Sequence, residues 1–356
     1  MIGFAIRSVL AQSDQNFELL VVGDGCTDDT AAAVQSFGDS RIRWFDLPKA
    51  DGIGYRNRNI VLREAKGDLV AHIAHDDLIS NDHLEKLAGC FNDDAVEWAY
   101  SRPLWVSPDG VILPVCVNLA NDDELYHLKT ADLFIPISCV IYRRRCHDRY
   151  GLWPENLTYS GDQEFWSRIL KAGPDRNHTF IPTPTAFHFK ANWRSTESLE
   201  RWPTTGNFMR IAHTSAWWPA CLKIQMEPDK PEQATVFAAM DAGGEKWIAD
   251  VRWAIDRVID RVTMDYVREG LPKLASMTIQ IEQLTDSAQH QAKGNAWLEE
   301  QRLAWEQRVK ELEKGSAWLE QQRLAWEKRA TDAEKENMRL VALFDSIKIQ
   351  TRQKSS

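Results

Sequence analysis

The chain is predicted to fold as an α/β protein: a mixed sheet flanked by helices, then a helical region and one long C-terminal helix. Three observations predict it. Continuous apolar runs at 17–22, 69–74 and 135–142 read as buried strands, and the first two end in acidic loops. From about residue 195 the strand signal gives way to a helical flavour. From residue 293 a 21-residue repeat with seven-residue apolar spacing takes over, which is helical patterning.

The elements follow in order. Run 17–22 leads into Gly23-Asp24-Gly25, then Thr27 to Thr30 and an Ala-rich helix start. Glycines permit close backbone approach there, and the Asp24 carboxylate can accept from a base or ribose. The same stretch also reads as an ordinary helix cap. Run 69–74 delivers His75-Asp76-Asp77 to its C-terminal edge. Ligands of open α/β sheets bind beyond such strand ends, and paired carboxylates suit Mg²⁺ or Mn²⁺. The alternative is a loop-entry pair that starts a helix capped by Asn81 or Asp82. Residues 96–106, the Asp109-Gly110 turn and 111–113 read as a hairpin. Run 135–142 ends in Arg143-Arg144-Arg145, either an anion contact or a solvated strand end. Asp162 opens an amphipathic helix, where a carboxylate also serves the helix dipole. Trp153, Tyr159 and Trp166 nearby suit either a sugar face or core packing.

Taken together and in register, five stretches resemble the inverting GT-A glycosyltransferases of family 2, over roughly residues 1–200. Residues 5–12 are similar to that family's first helix, and 17–30 to its "FELIVVDDGSTDDT" strand and loop. Gly54 to Asn59 resembles its "G…ARN" stretch, 66–78 its "RGEYIAFLDADDLW", and 161–166 its "EDWELW" helix. The resemblance implies a GT-A-type, Rossmann-like sheet, a nucleotide-sugar donor, a saccharide or lipid-linked acceptor, and Mn²⁺ or Mg²⁺. It implies that Asp24 and Gly25 meet the nucleoside and Arg58 the base or phosphates, with His75 beside them. Asp76 and Asp77 would hold the cation, with His188 as a late metal or phosphate contact. Asp162 would be the general base. That division is chemically required: one carboxylate group neutralises the leaving diphosphate, while another stays ionised to take the acceptor's proton.

The chain departs from the family pattern in three places. It begins at Met1-Ile2-Gly3-Phe4, already within the first helix, so the opening strand and "PTYNR" loop are expected upstream of a truncated or misassigned start. The first Asp of "DAD" is Ala74, and the "ED" pair is Gly161-Asp162. Two further readings therefore stand beside the transferase. One is a decayed domain serving as a coiled-coil scaffold. The other is a nucleotidyltransferase, although no Gly-rich basic loop is evident.

Composition narrows the classes. A net charge of −9 argues against nucleic acid as a partner, and 44% hydrophobic residues support a core. The six cysteines are scattered without a C-x-x-C pair, which suits a reduced compartment without structural zinc. No apolar run reaches about 18 residues and no signal peptide is evident. The expected location is cytoplasmic, peripheral at most at the inner face of the membrane. The expected domains are 1–195 (transferase, lacking its first strand), 196–290 (helical accessory region), 291–345 (heptad helix) and 346–356 (disordered tail). In the repeat, Leu298, Trp305, Leu312, Leu319, Trp326, Ala333 and Leu340 share one stripe. The second seam, Arg302, Val309, Ser316, Arg323 and Ala330, is poor. Self-association through 297–340, partner docking and a solvated single helix all remain open.

Overall fold

The computed structural model describes residues 1–130, 135–158, 160–172, 177–189, 203–290 and 296–353. It forms two compact units, Met1–Asp256 and Arg257–Ser356. The first carries α1 (Ile2–Leu10), β1 (Leu19–Asp24), α2 (Thr30–Gln35), β2 (Ile42–Leu47), α3 (Tyr55–Leu62), β3 (Leu69–Ala71), β4 (Leu78–Ile79), α4 (His83–Ala88), β5 (Trp98–Val106) and β6 (Ile112–Pro114). It continues through α5 (Asp122–Lys129), β7 (Val140–Arg143), α6 (Cys146–Tyr150), α7 (Gly161–Ala172), β8 (His178–Phe189), α8 (Pro203–Thr214) and most of α9 (Glu232–Asp265).

The α/β expectation holds, with the strands in two sheets. β1 and β2 run parallel, Leu19 opposite Ile42 and Asp24 opposite Leu47. Ile6 of α1 and Val34 of α2 bury against Val21, which fixes this small sheet under its helices. The larger sheet is mixed, in the order β3-β7-β5-β8-β4, with β6 hairpinned onto β5. β5 is buried along its whole length and lies parallel to β8 and antiparallel to β7. Among the described residues β1 pairs with β2 alone and β3 with β7 alone.

Two strands are shorter than their apolar runs, for local reasons. β3 stops at Ala71 because side chains replace the ladder beyond it: His72 Nε2 meets the Tyr142 hydroxyl at 3.0 Å, and the Ala74 N–H donates to Ser138 Oγ at 2.9 Å. β7 starts only at Val140, because Pro136 has no N–H and a short 3₁₀ turn occupies Ile137–Cys139. The Asp109-Gly110 hairpin is present, with Leu104 opposite Pro114.

The three arginines after β7 are taken up by the fold itself. Arg143 donates to the carbonyls of Val96, Phe91 and Asp93, Arg144 to Gly67 and Arg145 to Asp94. They tie loop carbonyls that no strand satisfies.

The second unit is helical. After a π-turn at Tyr266–Gly270 come α10 (Leu271–His290) and α11 (Ala296–Gln353), so the stretch expected as a tail is helical as far as Gln353. α10 packs along α11, and the Tyr266 hydroxyl donates to the Leu312 carbonyl at 3.2 Å. The middle of the apolar stripe is therefore covered by the same chain: Leu319 is buried, while Leu340 is 46% exposed. The weak seam is satisfied within its own helix. Arg302 pairs with Glu299 and Glu306, and Arg323 repeats this with Glu320 and Glu327. Among the described residues no helix is long and apolar enough to cross a membrane.

Candidate active site

β1 carries Asp24 to its C-terminal end, where the chain must turn sharply. Gly25 has φ 70°, and a Cβ there would lie 2.6 Å from Lys49 Cβ, so only glycine fits the turn. The Asp24 carboxylate accepts from Asn57 Nδ2 (2.7 Å), the Ala50 N–H (2.8 Å) and Lys49 Nζ. Burial alone would raise its pKa, but those three donors outweigh it and hold it below the usual 3.8.

α3 brings the next group. Asn57 holds Asp24, and Asn59 donates to the Trp153 carbonyl at 2.8 Å. Between them, Arg58 donates to the Ile53 carbonyl at 2.7 Å and lies over the rings of Tyr55 (5.6 Å) and Trp153 (5.8 Å). Burial pulls the Arg58 pKa down, and the charges of Tyr55, Asp162 and Asp24 oppose it.

The third group stands at the start of α7. Gly161 N–H donates to the Tyr55 hydroxyl at 2.8 Å. A Cβ on Gly161 would fall 2.6 Å from Tyr55 Cε2, so the aromatic ring occupies the space an acidic neighbour of Asp162 would need. Ser160, just before it, has φ 57°, a conformation that non-glycine residues rarely adopt. Asp162 follows in the first turn, half-buried.

The loop after β3 separates two adjacent carboxylates into different environments. Asp77 is fully buried. Its carboxylate accepts from Ser138 Oγ (2.6 Å), His188 Nδ1 (3.0 Å) and the Phe189 N–H (3.1 Å). Asp76 has a different neighbour, the exposed His75 ring 3.9 Å from its Oδ1. Asp77 and His188, both expected at a cation, are thus joined to each other, with Asp77 behind the imidazole. Among the described residues no group of three His, Cys, Asp or Glu side chains converges as a metal cage.

Other expectations settle as core. Trp153 is 3% exposed and packs on Tyr55 and His72, and Trp166 is fully buried against Trp98. Neither offers a face to a sugar, and Tyr159 lies outside the described residues. Sequence reading misses Tyr55, Asn57, Lys49 and Ser138. Tyr55 and Asn57 carry a visible signal, since both lie within the stretch 54–59; Lys49 and Ser138 carry none.

Residues 1–151 match the family model described as Glycosyl transferase family 2. Among curated proteins, the chain is 29% identical over 198 residues to an uncharacterized glycosyltransferase of Rickettsia felis, covering 52% of this chain and 31% of that protein. It is 38% identical over 101 residues to UDP-Glc:alpha-D-GlcNAc-diphosphoundecaprenol beta-1,3-glucosyltransferase WfgD of Escherichia coli, covering 28% and 40%. Among solved structures, Staphylococcus aureus TarS 1–349 in complex with UDP-GlcNAc aligns with TM-score 0.46 and 21% identity over 54% of this chain and 55% of that one. The chain spans well under half the length of these two curated relatives. The similarity to glycosyl transferase family 2 is thus carried by residues 1–151, the part of the chain that holds Asp24, Arg58, Asp76 and Asp77.

Proposed function

We propose that the chain transfers a sugar, with inversion, from a nucleotide-sugar to a hydroxyl acceptor during bacterial surface polysaccharide or glycoconjugate assembly. The observation that carries the reading is that α3 ties the Asp24 turn to the start of α7, through Asn57 to Asp24 at 2.7 Å and Tyr55 to Gly161 at 2.8 Å, with Arg58 over the Tyr55 ring between them. In this reading Asp24 meets the nucleoside, Arg58 the diphosphate, and Asp162 takes the acceptor's proton as its oxygen attacks the anomeric carbon. The bond from that carbon to the diphosphate oxygen breaks on the opposite side, so no protein nucleophile is needed. The name of the Escherichia coli relative supports a lipid-diphosphate-linked acceptor, and with it work at the inner face of the membrane.

The residues present fit a divalent cation. Mg²⁺ and Mn²⁺ sites of this kind use one or two carboxylates plus the substrate's own phosphates, not an all-protein cage. Asp76 would hold the ion, and His188 would join it through Nε2 because Asp77 engages its Nδ1. When bound, the ion neutralises charge on the departing diphosphate. The test is nucleotide release from UDP-, GDP-, dTDP- and CMP-sugars by the full chain with Mn²⁺ or Mg²⁺. Turnover of one donor, lost in Asp162→Asn, is expected; no turnover of any donor would count against the reading.

One observation favours the scaffold alternative: the Asp24 carboxylate is already engaged by Lys49, Ala50 and Asn57. In that case biological function would survive Asp76→Asn and Asp162→Asn but not deletion of residues 293–340. The family match favours glycosyl over nucleotidyl transfer.

A further inference from the structure

α9 lies beyond the segment that matches the family, yet it holds the chain on both sides of β4, at Asp76 before it and at Asp82 after it. On one side Gln233 Nε2 donates to the Asp76 carbonyl at 3.1 Å. A carbonyl only accepts, so the amide nitrogen must face it, and Gln233 is 3% exposed. On the other side Arg252 donates through both terminal nitrogens to the two oxygens of Asp82, each at 2.7 Å. The same guanidinium reaches Ser80 Oγ at 3.0 Å and the Pro184 carbonyl of β8 at 2.8 Å. The two grips come from separate limbs, because α9 breaks at Gly244 (φ 53°, ψ −145°).

The consequence is geometric. The Asp77 side chain is locked into the core, and its N–H donates to the Ala74 carbonyl at 3.1 Å. With the Asp76 carbonyl held as well, the peptide plane between Asp76 and Asp77 is bonded on both its N–H and its C=O side. The Asp76 carboxylate keeps its own side-chain torsions. Electrostatic catalysis demands such preorganisation, since donors and ligands that must reorient at the moment of reaction lose their advantage.

We propose that Gln233 and Arg252 are positioning residues that aim Asp76 at the donor's cation and diphosphate. The inference rests on the transferase reading above. It is tested by isothermal titration of UDP, GDP, dTDP and CMP into the full chain, each in Mn²⁺ and in EDTA. The variants are Gln233→Ala, Arg252→Lys and Asp76→Asn. Lysine keeps the charge but cannot bind both Asp82 oxygens in one plane. The wild-type chain is expected to bind one nucleotide more tightly in Mn²⁺ than in EDTA. Gln233→Ala and Arg252→Lys should cut that enhancement by about tenfold, leaving the EDTA affinity within about twofold. A helix that merely stabilises the fold would lower the melting temperature and leave the enhancement intact, and that result overturns the proposal. If the wild-type chain shows no Mn²⁺ enhancement, or Asp76→Asn keeps it, the transferase reading of Asp76 falls first and the positioning role with it.

Discussion

Replacing Asp77 by alanine should cost far more stability than replacing Asp76, although the residues are adjacent. Asp77 is fully buried and accepts from Ser138 Oγ at 2.6 Å, His188 Nδ1 at 3.0 Å and the Phe189 N–H at 3.1 Å. Each donor stranded in the interior costs about 1–3 kcal/mol. Water entering the space left by the carboxylate recovers part of that sum, which brings the expected loss to about 3–5 kcal/mol, the range for a broken buried pair. In a unit of this size that corresponds to a fall in melting temperature of roughly 10 °C. Among the described residues the ion-pair neighbour of Asp76 is the exposed His75 ring, at 3.9 Å, so Asp76→Ala should stay within about 1 kcal/mol of the wild type. Urea unfolding followed by tryptophan fluorescence measures both. Equal losses in the two variants, or a loss below about 1 kcal/mol for Asp77→Ala, would refute the assignment of Asp77 to the core.

Further outcomes follow from the same geometry. Gly161→Ala should destabilise by about 1–3 kcal/mol, because the new Cβ would meet Tyr55 Cε2 at 2.6 Å; a smaller ring-free residue at 55 should recover part of that loss in the urea midpoint. Burial holds His83 and His147 neutral, with pKa values lowered to about 4 from 6.5. The folded state therefore refuses protons that the unfolded chain accepts, so stability is intact above pH 6.5 and declines as pH falls toward 4. His147→Gln should flatten that decline in a pH series of thermal melts. In α11, a Cβ on Gly315 would find its nearest neighbour, the Tyr266 hydroxyl, at an ordinary 3.6 Å. Gly315→Ala should therefore stabilise the helical unit by up to about 1 kcal/mol, read as a higher helix melting temperature by circular dichroism.

What the sequence discloses here is local, and what it hides is non-local. Asp24, Asp76 and Asp162 stand out because each ends a strand run or opens a helix, features visible within a few residues. Asp77 looks like a twin of Asp76 in sequence. The two lie at a turn closed by the Asp77 N–H on the Ala74 carbonyl, and only the packed structure shows that Asp77 meets His188, 111 positions away. Gly161 looks like a lost acid until Tyr55, 106 positions earlier, is seen occupying the space. The same limit hides α9. Its tryptophans and charges suggest no chemistry, and the bonds of Gln233 to Asp76 and of Arg252 to Asp82 span 157 and 170 positions. The apolar stripe of the tail is legible at once, but its covering by the chain's own preceding helix requires the fold.

The most direct measurement is the thermal shift of the purified chain against UDP, GDP, dTDP and CMP, each with and without Mn²⁺, with Asp76→Asn alongside. A ligand that binds only the folded state stabilises it by about 2.7 kcal/mol at a hundredfold excess over its dissociation constant. The account predicts a Mn²⁺-dependent rise with one nucleotide that is lost in Asp76→Asn. No rise with any of the four, or an equal rise in the variant, would contradict it.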